Sequence, residues 1–241
     1  MWFPGLLLLF AFTSVIADVS DDIEECAKEF DVEDVESWVD TKGSEDVEVI
    51  CPMVVNFFSC MEEVLKSETG MTLEEMAELT EGTDIGGSVE LVLNVRNLAV
   101  DLCTEGSQLN TDLMADIECV DDLENPFEAC EEKAVAAYNA FSGFANKVEE
   151  EAEDEDFDPD FPCMKAAYQS ACIASAIHDK CGRRAFDTYN TIVKRSTIFK
   201  NAICSEQDLA NAKTTFLDSL EMEENKKELF RLAFDLRKRR K

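Results

Sequence analysis

Ten cysteines constrain this 241-residue chain more than any other feature, and their spacing limits how they can pair. Three of them, Cys163, Cys172 and Cys181, stand at nine-residue steps in the segment FPCMKAAYQSACIASAIHDKCG. Apolar residues in this segment recur at spacings of three and four, which predicts a helix. Nine helical residues make 2.5 turns and rise about 13.5 Å, whereas a disulfide needs Cα atoms within roughly 7 Å. The three cysteines must therefore bond to three different segments, and Cys172 faces away from the other two.

The first residues predict a secreted protein. The chain opens MWFPGLLLLFAFTSVIA, and its apolar run is of signal-peptide length and too short to span a bilayer. Small residues end the run, which predicts cleavage between Ala17 and Asp18. An even number of cysteines behind a signal peptide predicts a disulfide scaffold of up to five bonds. The cysteines concerned are Cys26, Cys51, Cys60, Cys103, Cys119, Cys130, Cys163, Cys172, Cys181 and Cys204.

The apolar periodicity predicts an all-α fold, a multi-helix bundle stapled by disulfides. Strand-like alternation is scarce, and apolar residues recur at three and four almost throughout. Thr72 and Glu75 form a capping-box pattern, Ser205 can cap a late helix, and Gly182 can end the helix that holds the three spaced cysteines. The predicted helices are about 20–30, 33–40, 45–67, 72–80, 88–103, 111–123, 127–152, 163–181, 183–203 and 206–238.

The acidic linker EEEAEDEDFDPDFP, residues 149–162, is the strongest break in composition. Its two prolines end any helix that reaches it. Six cysteines precede it and four follow, so each side can pair internally. Cys51 and Cys60 repeat the spacing of Cys163 and Cys172, which hints at two similar helical halves. The predicted organisation is a signal peptide at 1–17, a first helical half at 18–148, an acidic linker at 149–162, a second helical half at 163–236 and a basic tail at 237–241.

The net charge of −31 selects among partners. Nucleic acid and anionic lipid surfaces are disfavoured because their phosphates would be repelled. Cations and basic protein surfaces are favoured, and the charge also keeps a secreted protein soluble. The tail, residues 237–241, is entirely basic. It fits the negative end of a final helix, an arm that docks on an acidic surface, or a furin-type processing site ending at Arg240.

One short motif raises the question of an enzyme. The only histidine, His178, is followed by Asp179 and then Cys181. This end resembles the phospholipase A2 active helix, Cys-Cys-x-x-His-Asp-x-Cys, in which the His-Asp pair would polarise a water beside calcium. Both upstream cysteines and the glycine-rich calcium loop are missing here. Nor does an even cysteine count in an oxidising compartment leave a free thiolate as nucleophile. We therefore expect no enzymatic activity, and the phospholipase-like hydrolase is the least favoured function.

Metal and ligand sites give weaker signals. No Cys-x2–4-Cys spacing suits zinc, and no cofactor is expected. Asp154, Asp156, Asp158 and Asp160 alternate, so an extended chain would place their carboxylates on one side, as calcium ligands are placed. A solvated acidic linker is the favoured interpretation of this alternation. The 16 phenylalanines could line an apolar cavity for a small ligand, although phenylalanine at helical spacing is more often core.

The cysteine spacing also carries a resemblance. LAVDLCTEGSQLNTDLMADIECVDD…FEAC and FPCMKAAYQSACIASAIHDKCG…TIFKNAIC, within residues 88–204, resemble the secreted cysteine-rich helical proteins of arthropods that include the 27-kDa hemolymph glycoprotein-like group. In that group a Cys-x8-Cys-Gly step follows an aromatic-bearing helix, and a late cysteine closes the unit. The resemblance implies secretion and a location in extracellular fluid, and it does not imply an established enzymatic activity. Unlike the glycoprotein members, this chain has no Asn-x-Ser/Thr sequon.

Together these observations predict a secreted, extracellular, non-enzymatic protein. Its expected role is to bind or carry a small apolar ligand or a basic partner. The alternative is an acidic, cation-binding matrix or secretion component. No transmembrane segment is expected, and the oligomeric state is left open.

Overall fold

The computed structural model describes residue 26 and residues 44–83, 85–123, 125–149 and 161–234, and within these ranges the chain is helical and has no strand. The helices are α1 Ser44–Thr69, α2 Leu73–Leu79, α3 Gly86–Cys103, α4 Gln108–Asp121, α5 Pro126–Glu149, α6 Phe161–Ser196, α7 Glu206–Asn211, α8 Leu217–Ser219 and α9 Glu224–Ala233. Two π-helical segments, Phe199–Ile203 and Ala212–Phe216, lie before α7 and α8. The prediction of an all-α, disulfide-stapled fold is confirmed.

Local start signals act as predicted. At α2 the Glu75 N–H donates to Thr72 Oγ1 at 3.2 Å, and the Thr72 N–H donates to Glu75 Oε2 at 2.8 Å. This reciprocal pair satisfies two backbone donors that a helix start leaves unpaired. Ser205 caps α7 in the same way, accepting from the Asp208 N–H at 3.1 Å.

Gly182 interrupts α6 where the sequence predicted a helix end. Its backbone, at φ 83 and ψ −172, is non-helical, so α6 is two helical stretches joined at this residue. Glycine reaches a positive φ without the steric cost that a Cβ imposes. The capping prediction at Gly182 is therefore confirmed.

Two predicted late helices are shorter in the structure. The helix predicted at 183–203 ends at Ser196, because Thr197 takes a left-handed φ of 56. The helix predicted at 206–238 is broken at Leu220, whose φ of −75 and ψ of 129 are extended. The Ser219 hydroxyl donates to the Phe216 carbonyl at 2.6 Å next to this break. A side chain that hydrogen-bonds its own backbone competes with the helical ladder.

The described residues form two compact units. Unit 1 contains those up to 122 together with Thr191–Ile198, and unit 2 contains Leu123–Asn190 and those from Phe199 onward. This division falls before α5, whereas the predicted halves meet at the acidic linker, most of which lies outside the described residues. The linker and the two-half organisation stay predictions.

Unit 1 is built around α3, which packs against α1, α2 and α4. Its buried core is aliphatic and aromatic, with Leu98 fully enclosed. Two disulfides lie within it, Cys26–Cys60 and Cys51–Cys103. The residues of its main core cluster are Cys26, Phe57, Phe58, Met61, Leu73, Leu91, Val95 and Ala99.

Unit 2 contains two disulfides, and both involve α6. Cys130 of α5 bonds to Cys172 of α6, and Cys163 of α6 bonds to Cys204. The Cys130–Cys172 bond joins a cysteine before the acidic linker to one after it. The sequence allowed each side of the linker to pair internally, and this bond shows that they do not, because α5 and residues 161–190 of α6 lie in the same unit.

Candidate functional site

All ten cysteines are disulfide-bonded, including Cys119 and Cys181. Cys172 and Cys163 bond to separate segments at Cα distances of 5.7 and 4.9 Å, as the nine-residue spacing requires. Cys51 likewise bonds away from Cys60. The cysteines act as a scaffold, and none is left as a thiolate for nucleophilic chemistry.

The His178–Asp179 pair does not have the geometry of a catalytic pair. His178 Nδ1 lies 3.6 Å from Asp179 Oδ1, beyond hydrogen-bond reach, and this buried nitrogen has no hydrogen-bond partner among the described residues. The imidazole instead stands edge-on to the Phe186 ring, with centroids 5.6 Å apart. A general base needs a partner that orients it within about 3 Å. The described geometry therefore gives the phospholipase-like interpretation no support.

Metal binding is not apparent in the described part of the chain, where no three His, Cys, Asp or Glu side chains come close enough to hold an ion. The calcium candidates Asp154, Asp156, Asp158 and Asp160 lie outside the described residues, so their role stays a prediction. The predicted processing residues Ala17, Asp18 and Arg240 lie outside them too. None of the helices in the described ranges is long and apolar enough to cross a membrane.

Aromatic side chains of unit 2 pack against one another. Phe216 and Phe230 are fully buried. The Phe216 ring stands edge-on to Phe141 at 5.3 Å, and the Phe230 ring stands edge-on to Tyr168 at 5.2 Å. These spacings are those of a filled aromatic core. The rings thus contact each other, as expected of the core interpretation of the phenylalanines.

Two tyrosines in unit 2 are held as neutral phenols. Burial raises the pKa of Tyr189 to about 12, against a smaller lowering by its hydrogen bond to Ser170. Burial also raises the pKa of Tyr168. Loss of solvation disfavours the phenolate form. At neutral pH both hydroxyls are protonated, and that of Tyr189 lies 3.2 Å from Ser170 Oγ.

The charge of the protein is concentrated in unit 1. Residues 44–122, here called the acidic segment, contain 19 Asp and Glu against two bases, Lys66 and Arg96, a formal charge of −17. Arg96 Nη2 lies 2.8 Å from Glu62 Oε1, and Arg96 Nη1 lies 3.5 Å from Glu74 Oε1. One of the two bases is therefore used to join α1, α2 and α3, and Arg195, which also belongs to unit 1, pairs with Asp101 of α3.

Sequence reasoning placed the acidic character mainly in the linker and missed this concentration. The signal was present, because residues 67–95 contain seven acidic residues and no Lys or Arg. The sequence alone could not show that α1, α2 and α3 pack together and so bring these charges into one unit. No family model, no curated protein and no solved structure matches this chain.

Proposed function

We propose that this protein is a secreted, non-enzymatic extracellular protein that binds a basic partner through the acidic segment. The observation that carries the proposal is the formal charge of −17 on residues 44–122, which contain only Lys66 and Arg96 as bases. Such a field attracts positively charged surfaces and accelerates their encounter. It also repels nucleic acid and anionic lipid, so the partner that fits is a basic protein or peptide surface.

The disulfides support both the location and the binding role. Ten bonded cysteines are typical of an oxidising compartment, and this favours extracellular action. Cys26–Cys60 and Cys51–Cys103 span 34 and 52 residues of the acidic unit. The loop-entropy model assigns each bond about 4 kcal/mol of stabilisation. Helices held in this way keep like charges together before the partner arrives, which lowers the cost of ordering on binding.

Direct binding measurements test the proposal. The mature protein is titrated by calorimetry with a 20-residue polylysine peptide, and with polyglutamate as the negative probe, at low and physiological salt. We expect saturable binding of polylysine that weakens as salt rises, and no binding of polyglutamate. The absence of polylysine binding at low salt would contradict the proposal.

Matched charge reversals locate the binding surface. One triple variant changes Glu63, Glu68 and Glu105, exposed in the acidic segment, to Lys. The control changes exposed acids of unit 2 by the same total charge: Glu128→Lys, Glu132→Lys and Glu221→Lys. We expect the first variant to bind polylysine about tenfold more weakly than the control does. Equal losses would show that total charge, and not the acidic segment, attracts the probe.

A further inference from the structure

Two large aliphatic side chains stand out on the acidic unit. Leu79 is 68% exposed and Ile85 is 61% exposed, the highest values among the large hydrophobic side chains described. Leu79 is the last residue of α2, and Ile85 directly precedes α3. We call residues 79–83 together with Ile85 and Gly86 the α2–α3 corner. Single exposed aliphatic residues are ordinary on protein surfaces, so the arrangement of the two decides their meaning.

The corner is closed by a set of short-range hydrogen bonds. The Thr80 carbonyl accepts from the Thr83 N–H at 3.0 Å and from Thr83 Oγ1 at 2.7 Å, and the Gly86 N–H donates to the Thr83 carbonyl at 3.0 Å. Thr80 Oγ1 also donates back to the Met76 carbonyl at 2.8 Å. These bonds restrict the backbone at Thr80, Thr83 and Gly86, and a restricted surface loses less backbone freedom on binding.

Gly86 brings the two ends of the corner together. A Cβ placed at Gly86 would lie 2.2 Å from the Thr80 carbonyl oxygen, so the backbones at the two positions are in direct contact. Leu79 and Ile85 each precede one of these touching positions. They therefore flank the same backbone contact, and we call the two exposed side chains together the apolar tip.

The charged residues nearest to the tip along the chain are all acidic. Residues 67–95 contain no Lys or Arg, and exposed Glu78 and Glu81 lie on either side of the Leu79–Thr80 step. A second copy of this chain would bring like charge against like charge. A partner with apolar side chains bracketed by Lys or Arg would satisfy both the tip and its rim, because interfaces combine an apolar centre with a charged edge.

We infer that the α2–α3 corner is the point where a basic amphipathic segment of the partner docks, its apolar side chains on Leu79 and Ile85 and its cations on Glu78 and Glu81. This inference rests on the proposed function and names its apolar contact. The inference distinguishes this partner from a basic polymer without apolar side chains, which would bind through charge attraction alone.

Two peptide probes test the corner. One is an 18-residue amphipathic helix of Leu and Lys, and the other has Ser in place of every Leu at the same charge. They are titrated against the mature protein, against the corner variant Leu79→Ser/Ile85→Ser, and against the control Val49→Ser/Val55→Ser. The control changes two exposed aliphatic residues of α1, which are 50% and 37% exposed. Circular dichroism and melting temperature confirm that each variant is folded.

We expect the wild type and the α1 control to bind the Leu/Lys peptide at least about tenfold more tightly than the Ser/Lys peptide. We expect the corner variant to bind the two peptides within about twofold of each other. A corner variant that kept the full preference for the Leu/Lys peptide would overturn the inference. A wild type that bound both peptides equally would also overturn it, but the proposed function would still stand. Binding of neither peptide would reject both. A wild-type dimer in sedimentation that the corner variant loses would assign the tip to a second copy and overturn the basic partner.

Discussion

Removal of the Cys130–Cys172 disulfide tests whether disulfides on opposite faces of α6 hold this helix in place. The bond spans 42 residues and ties α6 to α5 on the face opposite to Cys163. The loop-entropy relation gives about 3.9 kcal/mol for a loop of this length. Both cysteines are buried, at 2% and 7% exposure, so the double variant Cys130→Ala/Cys172→Ala keeps an apolar pair in the core. We expect the free energy of unfolding to fall by about 4 kcal/mol.

Thermal unfolding followed by circular dichroism gives the first measurement. For a chain of this size each kcal/mol shifts the melting temperature by about 2–4 °C, so the variant should melt about 8–16 °C lower. Urea unfolding then gives the free energy directly.

The matched control is the double variant Cys163→Ala/Cys204→Ala. Its loop of 41 residues predicts nearly the same loss, from the other face of the same helix. A loss below about 1 kcal/mol in both variants would refute the view that disulfides hold this helix in place. A loss in only one would show that native packing, and not loop closure, sets the size of the effect.

Three further predictions follow from single contacts. Gly86→Ala should destabilise the protein by about 2 kcal/mol or more in urea unfolding, because its Cβ would press on the Thr80 carbonyl oxygen. Arg96→Gln should cost about 1–3 kcal/mol in the same assay, because it leaves the buried Glu62 Oε1 without its cation. The pKa of Tyr189 is about 12 in the folded protein and ordinarily 10, so its contribution is complete below pH 10 and is lost as the pH rises toward 12. Tyr189→Phe should therefore flatten the fall of the melting temperature between pH 10 and 12, and an unchanged slope would contradict the assignment.

Local signals allowed much of the helical framework to be predicted from the sequence. The capping box at Thr72 and the left-handed residue Gly182 act within a few residues, where side-chain chemistry alone decides the backbone. Thr197 at φ 56 shows the limit of such reasoning. A β-branched residue rarely adopts that conformation, so only the packing around it, which the sequence does not display, can impose it.

Disulfide pairing was predictable only by exclusion. The helix geometry forbade bonds among Cys163, Cys172 and Cys181, and that prediction is confirmed. It could not choose Cys130 over another cysteine for Cys172, because the choice depends on which helices pack together. Six cysteines before the linker and four after suggested internal pairing, and the structure shows that even counts on each side do not require it.

The candidate binding surface was likewise only partly predictable from the sequence. The excess of acid in residues 67–95 could be counted in the sequence. The exposure of Leu79 could not, because an apolar residue at the end of a predicted amphipathic helix is ordinarily expected to face the core. The structure places it at the last residue of α2 with 68% of its surface exposed.

Charge and disulfides in unit 1 act against each other. A formal charge of −17 within residues 44–122 repels itself and favours expansion of the chain. The bonds Cys26–Cys60 and Cys51–Cys103 penalise that expansion, since they restrict the unfolded chain by about 4 kcal/mol each. A basic partner that binds the folded state more tightly than the unfolded chain would add stability to the fold. Reduction of the disulfides should therefore weaken binding of the basic partner together with folding, and salt should partly restore the fold while it weakens the binding.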